Sequence, residues 1–204
     1  IIKKVAVLGS GVMGSRIACH FAGVGLQVLL LDIVPKDVAA DATPIAIGAA
    51  ERNKIVNDAL TAAIKSNPSP VYHKDVAKKI STGNFEDNMK DIAGCDWIIE
   101  VVVERLDIKK MIYDKVEQFR KPGTLVTSNT SGIPIHMMAE GRSDDFKKYF
   151  CGTHFFNPPR YLRLLEIIPT PHTDPEIVDF LMSYGDLYLG KTTVLCKDTP
   201  AFIA

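Results

Sequence analysis

The stretch Val5-Ala6-Val7-Leu8-Gly9-Ser10-Gly11-Val12-Met13-Gly14 decides the fold class. Its first four residues form a continuous apolar run, which is typical of a strand buried on both faces. The glycines that follow have the G-x-G-x-x-G spacing, and an amphipathic helical pattern begins directly after them. In this context Gly9 permits a tight turn, Gly11 lets the backbone approach a pyrophosphate, and Gly14 lets the helix pack closely against the strand.

The same segment predicts a dinucleotide site. The unpaired N–H groups of the first helical turn, at Val12 and Met13, would face the phosphates. A second buried run, residues 28–31, ends at Asp32, about 20 residues beyond the last glycine, where a ribose-binding acid is expected. A carboxylate there binds the adenosine ribose and repels a 2′-phosphate. The next residue is Ile33, whereas an NADP-binding protein would more often have an Arg there for the 2′-phosphate. We therefore expect NAD, not NADP; the alternative is a structural glycine turn with an unrelated acid.

Buried runs and helical periodicity alternate along the rest of the chain. Strands are predicted at residues 97–103, 124–127, 149–154, 164–168 and 193–196, and helices at residues 12–24, 45–65, 108–119 and 177–188. This alternation predicts an α/β fold of the Rossmann type, with a doubly wound, mostly parallel sheet and helices on both faces.

Composition argues against several function classes. The chain has 24 basic and 24 acidic residues, so no net charge attracts it to nucleic acid or to an anionic membrane. Its apolar runs are too short to span a bilayer. The four cysteines lie far apart without a C-x-x-C pair, as reduced thiols in a cytosolic protein would. We expect a cytoplasmic protein without a nucleic-acid partner, a membrane span or a bound metal.

Candidate catalytic residues follow the strand predicted at residues 149–154. His154 ends that strand, at the edge of the sheet where ligands bind in such folds. Glu166 lies within an apolar strand, where a carboxylate is costly to bury unless it is paired. The turn at Pro158-Pro159 could bring the two strands together, and a Glu–His pair would orient the imidazole to take a proton from an alcohol while hydride leaves. The alternative is a hydrogen-bonded core histidine.

Several segments together resemble the NAD-binding domain of 3-hydroxyacyl-CoA dehydrogenase. They are residues 9–14, Asp32, and residues 97–104, 128–131, 154–158 and 197–200. The resemblance covers essentially the whole chain. Within the family, the chain is similar to bacterial members in which this domain belongs to a multifunctional β-oxidation protein. It implies NAD-dependent oxidation of an L-3-hydroxyacyl-CoA to the 3-oxoacyl-CoA in fatty-acid β-oxidation, with an acyl-CoA as substrate.

The resemblance also implies roles for individual residues. His154 corresponds to the catalytic histidine of the family, and Glu166 to the carboxylate paired with it. Ser131 corresponds to a serine near the 3-oxygen of the substrate and the nicotinamide, and Asn157 to an asparagine of the same site. The alternative for Ser131 is that it caps the helix that follows.

Two further residues are matched to the cofactor. Glu104 and Lys109 correspond to residues that contact the ribose and nicotinamide side of NAD. The alternative is a solvent-exposed ion pair at helical spacing. For the phosphates of CoA, the candidates are Arg52, Lys54 and Lys65.

The chain departs from the family pattern at Val101, where common members have Ala. The family also has an Asn just after the segment that ends at Ala204, and then an all-helical domain. We expect residues 1–204 to be the NAD-binding domain, with low activity alone, and the helical domain outside them to complete the substrate site and form a homo-oligomer. A non-catalytic NAD-binding relative, such as a lens crystallin, and a different Rossmann oxidoreductase are the competing functions.

Overall fold

One eight-stranded sheet organises the part of the chain that the computed structural model describes, residues 1–40 and 48–203. Its order is β3-β2-β1-β4-β5-β6-β7-β8. The strands are β1 Lys4–Leu8, β2 Gln27–Asp32, β3 Ile80–Asn84, β4 Trp97–Glu100, β5 Leu125–Ser128, β6 Phe150–Phe155, β7 Leu164–Pro169 and β8 Thr192–Leu195.

Helices connect the strands. They are α1 Val12–Gly23, α2 Lys36–Ala40, α3 Ala49–Arg52, α4 Lys54–Lys65, α5 Leu106–Phe119, α6 Ile135–Ala139, α7 Asp144–Lys148 and α8 Pro175–Leu187, with 3₁₀ helices at Lys74–Lys79 and Met89–Gly94. Strands β1 to β6 pair in parallel, β7 is antiparallel to β6, and β8 is parallel to β7. The prediction of a mostly parallel Rossmann-type sheet is confirmed.

The core lies on both faces of the sheet. Alternate residues of β1 point to opposite sides, so Val5 and Val7 belong to one apolar cluster and Ala6 and Leu8 to the other. In the first cluster Trp97 packs edge-on against the ring of Phe21, with 5.1 Å between ring centroids. Both faces of the central strands are therefore covered, as the continuous apolar runs predict.

Several elements differ from the prediction. The helix expected at residues 45–65 is divided into α3 and α4, and residues 45–47 lie outside the described residues. Strand β3 was not predicted, because its sequence Ile-Ser-Thr-Gly-Asn has no apolar run. Strand β4 ends at Glu100 rather than at residue 103, because the backbone beyond it leaves the sheet to line a cavity.

Among residues 1–40 and 48–203, no helix combines the length and the hydropathy that crossing a bilayer requires. The four cysteines are all buried and free. The same residues contain no group of three or more His, Cys, Asp or Glu side chains that could hold a metal ion.

The close packing of α1 against the turn after β1 gives a stability prediction. A Cβ atom on Gly14 would lie 1.8 Å from the carbonyl oxygen of Gly9, so Gly14→Ala must push the helix away from the sheet. We expect a loss of about 1–3 kcal/mol in the free energy of unfolding, the usual effect of overpacking. Gly23→Ala, at the end of the same helix, is the matched control because nothing lies within 4 Å of its Cβ position. Urea denaturation should separate the two variants, and equal stabilities would contradict this packing argument.

Candidate active site

A cavity of about 850 Å³ lies at the carboxyl ends of the first six strands. Parallel pairing brings these strand ends to one edge of the sheet, so residues far apart in sequence meet there. The lining residues that were also predicted as site residues are Gly9, Gly11, Val12, Met13, Asp32, Glu104, Ser131, His154 and Asn157. The structure therefore brings most of the predicted residues into one cavity.

The glycine turn leaves room for a phosphate group. Gly9 has φ of +107°, and a Cβ there would lie 2.6 Å from the carbonyl oxygen of Val101. Above Gly11 the space is open, since nothing lies within 4 Å of its Cβ position. Helix α1 begins at the next residue, and no side chain caps its N-terminus. Unpaired N–H groups at Val12 and Met13 beneath an open space fit the pyrophosphate of a dinucleotide.

Asp32 joins the end of β2 to the glycine turn. Its Oδ2 accepts hydrogen bonds from the backbone N–H of Ser10 at 2.6 Å and from the Ser10 hydroxyl at 2.5 Å. Its Oδ1 accepts from the N–H of Ile33 at 2.7 Å. The carboxylate is half-buried and lines the cavity, with acceptor capacity left for ribose hydroxyls. Lys36, which was not predicted, lines the same cavity.

His154 and Glu166 form the pair that the sequence predicts. They face each other in the antiparallel register of β6 and β7, and His154 Nδ1 lies 2.7 Å from Glu166 Oε2. Glu166 is fully buried, and its Oε1 accepts a hydrogen bond from the N–H of Ile203 at 3.2 Å. Because a carboxylate only accepts, Nδ1 is the donor in this hydrogen bond, and in the neutral imidazole Nε2 is then the acceptor. The ring lines the cavity rather than lying enclosed in the core.

Glu104 and Ser131 meet at another wall of the cavity. Glu104 Oε1 accepts from the Thr130 hydroxyl and from the N–H groups of Ser131 at 3.2 Å, Gly132 at 3.0 Å and Ile133 at 3.3 Å. Burial acts to raise the pKa of Glu104, but the Thr130 hydrogen bond, the Lys109 charge and the N–H groups together lower it. The alternative role of Ser131 as a helix cap is wrong, since α6 has a proline at its N-cap.

Lys109 does not line the cavity. Its side chain is 1% exposed, and its ammonium donates to Glu100 Oε1 at 2.8 Å and lies 3.3 Å from Glu104 Oε2. The geometry therefore gives no support to the predicted direct contact with the cofactor. The alternative of a solvent-exposed Glu104–Lys109 pair is wrong, because the ammonium is enclosed. Glu100, whose buried carboxylate holds it, was not predicted as a functional residue.

Two asparagines that follow strand ends line the cavity. Asn157 lines it, and the Asn157 Oδ1 accepts from the Arg16 guanidinium of α1 at 3.0 Å. Asn129, at the end of β5, also lines it, and its Oδ1 accepts from the N–H of Phe155 at 2.8 Å. Asn129 was not predicted individually, although a polar residue directly after a buried strand was a usable signal.

The basic residues considered for CoA phosphates lie elsewhere. Arg52 is buried, and its guanidinium donates to Asp87 at 2.7 Å and to Glu86 at 2.9 Å, so it is not accessible to a phosphate. That candidate role is wrong. Lys54 pairs with Asp58 on the exposed face of α4, and Lys65 is exposed at the end of the same helix.

Comparison with known proteins gives one consistent result. Residues 4–199 match the family model described as "3-hydroxyacyl-CoA dehydrogenase, NAD binding domain". A Bacillus subtilis (strain 168) protein named "Probable 3-hydroxyacyl-CoA dehydrogenase" is 50% identical over 206 residues, covering 100% of this chain and 26% of that protein. A Deinococcus radiodurans protein of the same name is 43% identical over 203 residues, covering 100% of this chain and 56% of that protein.

A solved structure agrees with these relatives. The crystal structure of 3-hydroxybutyryl-CoA dehydrogenase from Escherichia coli K12 superposes with a TM-score of 0.75 at 30% identity, covering 100% of this chain and 40% of that chain. The chain therefore spans between about a quarter and somewhat more than half of the length of these proteins.

The position of Asp32 gives a prediction on cofactor choice. Asp32→Asn keeps the shape of the side chain but removes its charge, so NAD should bind about ten-fold more weakly, as expected for one lost charge-assisted hydrogen bond. The affinity for NADP should not fall in this variant, because the repulsion between Asp32 and the 2′-phosphate is also removed and Lys36 remains in the cavity. Calorimetry with both cofactors tests this, with Asp37→Asn, an exposed acid in α2, as the control. Equal affinity of the parent for NAD and NADP would refute the assignment.

Proposed function

Because the chain belongs to the family of NAD-binding domains of 3-hydroxyacyl-CoA dehydrogenases, we propose that it forms the cofactor-binding part of an enzyme that oxidises an L-3-hydroxyacyl-CoA to the 3-oxoacyl-CoA in fatty-acid β-oxidation. One observation carries the proposal. The 2.7 Å hydrogen bond between His154 and Glu166 lies at the wall of the cavity that also contains the glycine turn and Asp32. An acid–base group and a dinucleotide site thus share one space.

The residues present can hold NAD along this cavity. The pyrophosphate would lie over Gly11 at the N-terminus of α1, and the adenosine ribose would bind Asp32. The nicotinamide end would then extend toward Glu104, Ser131 and His154, which line the other part of the cavity. When bound, NAD supplies the acceptor for the hydride that leaves carbon 3 of the substrate.

The role of His154 follows from its partner. With Nδ1–H donating to Glu166, Nε2 accepts the proton of the 3-hydroxyl group as the carbon–oxygen double bond forms. The buried carboxylate of Glu166 stabilises the imidazolium that results and keeps the ring in one orientation. Ser131 would donate a hydrogen bond to the reacting oxygen, and Asn157, held by Arg16, would contact the substrate at the same wall.

A non-catalytic NAD-binding protein is the second candidate, and the site favours it less. Binding of a dinucleotide needs the glycine turn and Asp32 but not a buried carboxylate paired to a histidine of the cavity wall. A fully buried Glu166 is destabilising unless it is paired, so its position opposite His154 supports a catalytic role.

Residues outside 1–204 should complete the acyl-CoA site, in a helical domain that also forms the homo-oligomer. The share of each relative that the chain covers, 26% and 56%, supports this part of the proposal. So do the large apolar side chains that are exposed near the C-terminal elements, Leu187, Tyr188, Leu195 and Ile203. A cytoplasmic location is supported by the four cysteines, all of which are free rather than joined in disulfides.

The catalytic assignment is tested in the full-length protein. His154→Ala should lower kcat on a 3-hydroxyacyl-CoA by about 100-fold or more, the usual effect of losing a positioned acid–base group. Glu166→Gln should lower kcat by less, and NAD affinity should change little in either variant. His172→Ala, an exposed histidine that does not line the cavity, is the control. If His154→Ala kept most of its activity, another group would have to be the base.

A further inference from the structure

The mechanism above leaves one buried acid without a function. Glu100 is the last residue of β4, and its side chain is fully buried. Its Oε1 accepts from the Val102 N–H at 2.7 Å and from Lys109 Nζ at 2.8 Å. Its Oε2 accepts from the Tyr113 hydroxyl at 2.9 Å and from the Ser128 hydroxyl at 2.6 Å. A carboxylate this deep is tolerated only when it is paired and hydrogen-bonded, and here each oxygen has two donors.

Lys109 connects Glu100 to a carboxylate at the cavity wall. Its ammonium lies between two carboxylates, 2.8 Å from Glu100 Oε1 and 3.3 Å from Glu104 Oε2. The first carboxylate is fully buried, whereas Glu104 is 41% exposed at the cavity wall. Glu100 makes the shorter contact, so the ammonium is paired more closely with Glu100 than with Glu104. The Oε1 atom of Glu104 therefore remains available to other hydrogen-bond donors.

Those other partners belong to the loop that carries Ser131. Glu104 Oε1 accepts from three consecutive N–H groups, at Ser131, Gly132 and Ile133, and from the Thr130 hydroxyl. Such a set of donors fixes the loop against the side chain. An unbroken series of contacts thus runs from the buried end of β4 to the cavity wall.

We propose that Glu100 is a positioning residue for the nicotinamide side of the cavity. It holds Lys109 at a place where the ammonium orients Glu104 without neutralising it, and Glu104 in turn fixes Ser131. The inference rests on the proposed function, in which Glu104 and Ser131 face the nicotinamide ribose and the reacting oxygen. If Glu100 loses its charge, Glu104 becomes the sole carboxylate partner of Lys109 among the described residues and turns from the loop and the ribose toward the ammonium.

A purely structural role for Glu100 predicts something different. The same carboxylate joins β4, α5 and β5 through Tyr113 and Ser128, so its loss could simply loosen the fold. Looser packing would weaken binding of both halves of a dinucleotide. The positioning role affects mainly the nicotinamide half. Asp32 and the glycine turn do not contact Lys109, Glu104 or the loop of Ser131, and the Val102 N–H beside Gly9 keeps its acceptor in a variant that retains an oxygen at this position.

The test compares NAD with ADP, which lacks the nicotinamide and its ribose, by calorimetry on the full-length protein. Glu100→Gln keeps the side-chain shape, and its amide can donate to the hydroxyl oxygens of Tyr113 and Ser128. NAD should bind about ten-fold more weakly, as for one lost charge-assisted hydrogen bond, while ADP affinity stays within about two-fold. Tyr113→Phe removes a hydrogen bond to the same carboxylate but keeps its charge, so the ratio of the two affinities should not change.

A double-mutant cycle adds an independent test of the route through Glu104. In a Glu104→Gln background, adding Glu100→Gln should weaken NAD no further. Where Glu100→Gln alone does not fold, Glu100→Gln with Lys109→Met removes both charges of the buried pair. No ammonium is then left to draw Glu104 from the loop, so the ratio of the NAD and ADP affinities should stay at that of the parent, and a selective loss of NAD in this variant would overturn the inference. For Glu100→Gln itself, equal losses for ADP and NAD, additive losses in the cycle, or unchanged NAD affinity would overturn it. Failure of the parent to bind NAD would instead overturn the proposed function.

Discussion

The site depends on one close approach between two backbones. The turn after β1 passes directly against the residues that follow β4, and no side chain fits at Gly9 or Gly14. This approach is possible because β1 pairs in parallel with both β2 and β4, so that the three strands end at the same edge. Helix α1 therefore starts at the cavity and points its N-terminus into it. Asp32 then closes the arrangement, since Ser10 of the turn donates to it twice.

The antiparallel pairing of β6 with β7 has a chemical consequence. Six strands end at the cavity, but β7 runs in the opposite direction and pairs with β6 along its length. Glu166, in the middle of β7, is therefore placed opposite His154, near the end of β6. The carboxylate remains buried while the imidazole reaches the cavity wall. The carboxylate of Glu166 thus lies in an apolar environment, while the His154 ring that it orients remains accessible to a substrate.

The sequence predicted the elements in which local pattern and tertiary context agree. The apolar runs of β1 and β2, the glycine spacing and the pairing of His154 with Glu166 were all readable, because burial on both faces and the penalty for an unpaired acid constrain the residue types. The register of the two strands was not predicted. Strand β3 was not readable, since an edge strand needs no apolar run. The positions of Lys109 and Glu100 were missed for another reason. Lys109 lies on the same face of α5 as Ile112 and Val116, which are apolar and buried. A lysine at such a position is expected to extend its ammonium to solvent, and a buried ammonium is predictable only once its carboxylate is known.

The central claim, that this cavity transfers a hydride from carbon 3 of a hydroxyacyl-CoA to NAD, is tested most directly by following the hydrogen itself. The full-length protein would be incubated with NAD and an L-3-hydroxyacyl-CoA that carries deuterium at carbon 3, and the reduced cofactor analysed by mass spectrometry. We predict NADH that contains one deuterium, formed together with the 3-oxoacyl-CoA. NADH without deuterium, or no NADH from a protein that binds NAD, would contradict the claim.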